Sequence, residues 1–425
     1  MESAEAMRSL ALFLAWTLAL AAAPAAGPAV WVRVVHGETE LLGAVDAAQA
    51  KVALAELEAL RGALAAAAPE LAGARARLRI VVFHPAFDDQ PFRVNAYSPA
   101  YYAPGPGWSA IVVHRLEKDT LPALRHEFIH HLVRASGHKL PLWLDEGLAD
   151  ALSPLPGEEA KRRTKLLRRG QRLPWRELLE ARRGSVLCQD WEQARLFYAQ
   201  SWALTEALIA ERGGALSAAD LERWQRLDGS SGQQAEDLLR RFVKRPRPAG
   251  RRWSRTAPSV GVEVTAAPAA LVWTVLGRLS LQLGNTGAAE TWLRQAALTA
   301  AEALPLLGDL EYRRGRLEEA RMWWREAMAR GAADGRTLLR LAVLEQDLPG
   351  GDMVPVLEQL LAIDPAQEEA RLALAAQYIR RQRWAEAWQR LCEVRTPPAR
   401  WADFYNQAVF LARVHVLPAE AMATN

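Results

Sequence analysis

His126-Glu127-Phe128-Ile129-His130 places two imidazoles four residues apart. On a helix that spacing sets both rings on one face, where they can grip a single divalent ion, and leaves Glu127 at the edge of that face, beside a water on the ion. Fifteen residues intervene before Glu146, which lies in PLWLDEGLAD. A carboxylate there can reach back as a third ligand. Two histidines and one glutamate leave a fourth position open, the pattern of a catalytic rather than a closed structural zinc site. Asp150 follows Glu146 by four residues, so on a helix it shares that face and can accept the ring N–H of a ligand histidine. The chemistry predicted is attack on a carbonyl by a zinc-activated water, with one Zn2+ per chain. Taken alone, the five-residue motif also reads as ordinary histidines on a charged helix face; Glu146 and Asp150 are what point to a site.

The elements that must hold these residues are legible around them. A helix is predicted over Thr120–Ala135, with Thr120 as N-cap, Pro122 in the first turn and Gly137 at the end; a second covers Leu142–Leu152 after a turn at Pro141. Upstream, Val30–Val35, Leu78–Phe83 and Ala110–His114 read as strands, with a further short strand at Ala96–Tyr102 and a helix over Ala44–Ala68. From Pro154 to Val243 the pattern is helical, broken at Gly170, Gly184, Gly213–Gly214 and Gly229–Gly232. The fold class expected for residues 28–243 is α+β, a small mixed sheet with site-bearing helices. Arg240–Arg255 carries eight basic residues and no acid among prolines, so 244–268 reads as a basic linker. Beyond it Leu276-Gly277 recurs as Leu307-Gly308, and Ala289 as Ala320, both at a spacing of 31; the phrase returns at Ala387. Residues 269–396 are therefore expected to be stacked helical hairpins that bury their small-residue faces on one another, an all-α solenoid resembling tetratricopeptide repeats. A helical tail follows over 397–425.

The site motifs resemble those of the gluzincin metallopeptidases, the thermolysin-like clan, in which HExxH precedes a downstream ExxxD. HEFIHHL, LPLWLDEGLAD and FYAQSWALTEAL together resemble an exported bacterial peptidase-MA-like family often joined to tetratricopeptide repeats, over roughly Val30 to Val243. The resemblance implies a zincin-like domain with His126, His130 and Glu146 as zinc ligands, Glu127 as general base and Asp150 orienting a ligand histidine. It also implies an oxyanion donor from a downstream helix, for which Tyr198 is the candidate and His131 and His138 are alternatives, and a substrate strand, taken to be Ala110–His114, that pairs with an extended peptide. An aromatic on a helix is nonetheless more often core than catalytic. Asp145 reads as a solvated neighbour of Glu146 or a ligand in a shifted register, and His114 as structural or exposed.

Residues 1–26 read as a signal peptide: an apolar run from Leu10 to Ala23 is too short to span a bilayer and is followed by A-x-A sites, so export to the periplasm or the exterior is expected. Glu2 and Glu5 offset Arg8, which makes Met7 an alternative start. With Lys+Arg 53 against Asp+Glu 49, the net charge of +4 gives no reason to expect nucleic-acid binding. Membrane association is expected only through an uncleaved leader, and the run Lys161–Arg169 reads as a solvated helix face. Cys188 and Cys392 are expected to be unpaired or buried, one long-range disulfide staying open. The partners implied are a peptide or protein substrate and a protein partner for the repeats. The alternatives are a binding protein whose peptidase-like domain has little turnover, and a zinc hydrolase of a non-peptide amide.

Overall fold

Strand β1 (Val32–His36) turns at Gly37, whose φ of +55° suits a residue without a Cβ, into β2 (Thr39–Gly43), antiparallel with Val34 opposite Leu41. These coordinates are a computed structural model describing residues 31–83, 89–94, 98–105, 107–153, 155–183, 190–246 and 260–416. Helices α1 (Ala47–Ala67) and α2 (Pro69–Gly73) then cross over to β3 (Leu78–Val82), parallel to β2 with Ile80 beside Leu41. Parallel neighbours need such a crossover. Asp46 and Gln49 form a reciprocal capping box at the start of α1, and its Leu54, Leu57, Leu60 and Leu64 face the core. Strands β4 (Ala100–Gly105) and β5 (Trp108–Val113) form a second antiparallel pair, and β5 runs parallel to β3.

The six strands lie in the order β4-β5-β3-β2-β1-β6. The sheet is mixed and the fold is α+β. Strands β3 and β5, each flanked by neighbours, are nearly continuous runs of buried β-branched residues. Four strands depart from the sequence reading. The short β2 was not foreseen, and β6 (Glu263–Ala266) falls inside the stretch read as linker, where it pairs with β1. The strand expected at Ala96–Tyr102 lies later, as β4. The strand at Ala110–His114, taken as the one to meet a peptide, is interior: β4 covers its outer side and is the edge.

After β5 come α3 (Leu121–Ala135) and α4 (Leu142–Leu152), the two helices predicted to carry the site. Thr120 occupies the N-cap of α3 but bonds back to the Glu117 backbone rather than to a helix amide. Gly137 follows α3 with a φ of +83°, a left-handed conformation that ends a helix. Helices α5 (Gly157–Arg168), α6 (Trp175–Leu179), α7 (Trp191–Glu211), α8 (Ala218–Trp224) and α9 (Gly232–Lys244) complete the first unit, which ends at Ala267.

The second unit, from Pro268, is a run of helical hairpins: α10 (Ala269–Gln282) with α11 (Thr286–Ala297), α12 (Leu304–Arg313) with α13 (Leu317–Ala329), α14 (Gly335–Asp347) with α15 (Val354–Ile363), and α16 (Glu368–Arg380) with α17 (Trp384–Cys392), followed by α18 (Ala402–Val416). The recurring glycines mark a close approach within a hairpin, not between hairpins as the sequence reading had it. A Cβ on Gly277 would come 2.5 Å from the Leu293 side chain, and one on Gly308 would come 2.2 Å from the Trp324 ring. Of the two alternatives expected for Cys392, it is unpaired and exposed rather than buried; Cys188 and the leader at 1–26 lie outside the described residues. No helix among the described residues is long and apolar enough to cross a membrane.

Candidate metal centre and its cleft

Helix α3 delivers His126 and His130 one turn apart, and α4 brings Glu146 against them. Three atoms converge. His126 Nε2 lies 3.2 Å from His130 Nε2 and 3.3 Å from Glu146 Oε2, and His130 Nε2 lies 3.6 Å from the same oxygen. A tetrahedral ion with bonds of about 2.0–2.1 Å separates its ligands by about 3.3–3.4 Å, so the triangle has the size that a zinc ion requires. Two imidazole lone pairs and a carboxylate oxygen in mutual contact also repel unless a cation, a metal or ring protons, lies among them.

The other ring nitrogens are each claimed by a carboxylate. His126 Nδ1 is 3.0 Å from Asp150 Oδ1, as the sequence predicted, and His130 Nδ1 is 3.0 Å from Asp145 Oδ1. Such bonds fix the tautomer that leaves Nε2 free to ligate. Asp145 is therefore neither an idle neighbour nor a ligand: it orients the second histidine. Burial opposes charge on His126, but Asp150 and Glu146 outweigh it and push the ring up to about 10; Glu146 and Asp145 likewise raise His130 against its burial. Burial also works against the Glu146 carboxylate, and the two histidines overcome it and hold the group well below its usual range. Each of these interactions favours a cation at the centre.

Behind each aspartate stands an arginine. Arg163 on α5 pairs with Asp150, donates to Glu159 Oε1 at 2.9 Å and reaches the Tyr198 carbonyl on α7 at 3.3 Å. Burial of Asp150 is outweighed by Arg163 and His126, so its carboxyl stays ionised. Arg183 Nη2 donates to Asp145 Oδ2 at 3.1 Å. The basic run Lys161–Arg169 is thus not uniformly solvated: Lys161 and Arg162 are 76% and 75% exposed in their side chains, and Arg163 is 15%.

The centre opens into a cavity of about 530 Å³ lined by Glu127, by Tyr198, and by Ser98 to Tyr102 of the sheet edge. Burial raises the Glu127 carboxyl above its usual range; the two histidines and a hydrogen bond from the Tyr102 backbone pull the other way. Edge strand β4 and the candidate base are therefore joined directly. Tyr198 borders the cavity from α7, half-buried. His131 and His138 do not line it. His131 is buried between the Phe128 and Tyr102 rings, and burial with Arg61 nearby lowers it to about 4. His114, buried and 2.9 Å from Asp89, is structural.

Sequence reasoning missed Asp145, Arg163 and Arg183 as parts of this assembly, and also Gly147. A Cβ on Gly147 would lie 2.2 Å from Thr205 Oγ1 and 2.6 Å from the Ser201 carbonyl, so this glycine lets α4 press against α7 and places Glu146 next door. A glycine inside a predicted helix is a signal of close approach that could have found it. Neither the protein-family models nor the curated proteins contain a match to this chain.

Proposed function

We propose that this chain is a zinc-dependent metallopeptidase whose first unit is a zincin-like domain. The observation that carries this reading is the triangle of His126 Nε2, His130 Nε2 and Glu146 Oε2, sized for a tetrahedral ion and opening on the cavity that Glu127 lines. Zinc held there would supply Lewis acidity and a water with a pKa of about 7.

The chain's own groups do the rest. Asp150 and Asp145 hold the ligand rings in one tautomer and orientation. Glu127, raised by burial toward the working range of a base, takes a proton from the attacking water and passes it to the leaving amine. Tyr198 donates its hydroxyl to the oxyanion that develops on the substrate carbonyl. Edge strand β4 lies along the cavity, where its free side can pair with an extended peptide backbone.

The hairpins of the second unit support a tetratricopeptide-like surface for a protein partner, and the leader-like segment supports export. The test is Tyr198→Phe in the zinc-loaded chain: turnover on a peptide pool should fall about 10²-fold to 10³-fold while zinc content stays at one per chain. Unchanged turnover would remove Tyr198 from the site. Well-folded protein that takes up no zinc, and loses none on substitution of His126, would remove the reading itself.

A further inference from the structure

The cavity holds two arginines whose situations differ. Arg163 is buried and committed on three sides, to Asp150, Glu159 and the Tyr198 carbonyl. Arg183 is 62% exposed in its side chain and spends one nitrogen, Nη2, on Asp145 Oδ2 at 3.1 Å. Among the described residues its Nε and Nη1 have no partner. The guanidinium thus lines the cavity two hydrogen bonds from His130, through Asp145, with open donors.

The other charged residues lining the cavity already have work. Glu127, Glu146 and Asp150 face the histidines or Arg163, so Arg183, with one nitrogen on Asp145, is the lining charge that keeps donors to spare for a ligand. A planar guanidinium with unused donors selects a carboxylate, which it can hold through more than one N–H. We infer that Arg183 is a specificity residue, and that the substrates of this cavity carry a carboxylate close to the scissile bond on the His130 side. The carboxylate could come from an acidic side chain or from a free C-terminus; the chemistry recognised is the same. This inference rests on the peptidase reading for its substrate class, while its test rests on binding.

The probes are short peptides in matched pairs, Glu against Gln at one position, and free against amidated C-terminus. Their affinities are measured on the full zinc-loaded chain and on Arg183→Gln, and their cleavage is followed separately. The expected result is about tenfold tighter binding of the carboxylate member of at least one pair, a preference that falls to near one in Arg183→Gln. The Glu/Gln pair responding would identify an acidic side chain, and the terminal pair a C-terminal carboxylate. No preference in the parent protein, or a preference that survives Arg183→Gln, overturns the inference. A uniform loss of affinity on every peptide, with loss of zinc, would instead make Arg183 a support for Asp145 alone and overturn it equally. An Arg183-dependent preference without cleavage would leave the carboxylate site standing and count against the peptidase reading.

Discussion

Replacing Gly147 by alanine adds one methyl group at the point where α4 meets α7. The new Cβ would sit 2.6 Å from the Ser201 carbonyl oxygen, a backbone atom that cannot rotate away, and 2.2 Å from Thr205 Oγ1. Restoring an ordinary contact of 3.4 Å to that oxygen requires about 0.8 Å of separation between the helices. Overpacking of this kind costs about 1–3 kcal/mol. The strain falls on the residue after Glu146, and a metal ligand tolerates displacements of only about 0.5 Å, so zinc affinity should weaken by about tenfold or more. Urea unfolding of the metal-free chain and a zinc titration against a competing chelator measure the two effects. Gly62→Ala is the control: Gly62 lies within α1, nothing is within 4 Å of the added Cβ, and alanine there should stabilise by about 0.5–1 kcal/mol. If Gly147→Ala unfolds at the same urea concentration as the parent and binds zinc as tightly, the argument from helix contact to ligand placement is wrong.

Three further outcomes are expected. Arg163→Met leaves the buried Asp150 carboxylate without its cation and should cost about 3–5 kcal/mol in chemical unfolding, with zinc binding about 10-fold to 100-fold weaker; Arg162→Met, one position away and exposed, should change stability by no more than about 0.5 kcal/mol. Glu40 lies between Arg33 and Arg79 at 2.5 Å from each; burial opposes its charge, but the two arginines hold its carboxyl below the usual range. Because the folded chain releases this proton more readily than the unfolded one, the stabilisation is present above the unfolded value near 4.5 and is lost as pH falls through the folded value. Glu40→Gln should therefore be less stable than the parent by about 1–3 kcal/mol at neutral pH, with the gap closing as pH falls below 4.5 and through the lowered folded value in a pH series of denaturation midpoints. In the second unit, Gly308→Ala drives a methyl into the Trp324 ring and should lower the thermal midpoint, a loss of about 1–3 kcal/mol that an unshifted melt would contradict.

The parts of the site fixed by local spacing were legible from sequence. The i, i+4 histidines of α3 and the i, i+4 pair Glu146 and Asp150 of α4 keep their relation whatever the rest of the chain does, and α3 ends just before the left-handed Gly137. Parts fixed by long-range contact were not. Arg163 and Arg162 are the same residue type in one basic run, and only the packing of α5 makes one a buried partner of Asp150 and the other a solvated side chain. Strand order is likewise non-local. A run such as AIVVH says that a strand exists, but its place in the sheet depends on β4 arriving from the preceding Pro- and Gly-rich stretch. Strand β6 carries no apolar alternation facing a core, since its four residues are all exposed, so its pairing with β1 leaves little trace in the residues themselves.

In the function proposed above, the two histidines and Glu146 hold zinc for a hydrolysis in which Glu127 moves the proton. The measurement that meets it most directly is the zinc content of the purified full-length chain and of Glu127→Gln, each then incubated with a diverse peptide pool read by mass spectrometry. Both proteins should carry about one zinc, and new termini should come from the parent alone. Cleavage by Glu127→Gln at the parent's rate, or a folded parent with no zinc, would contradict it.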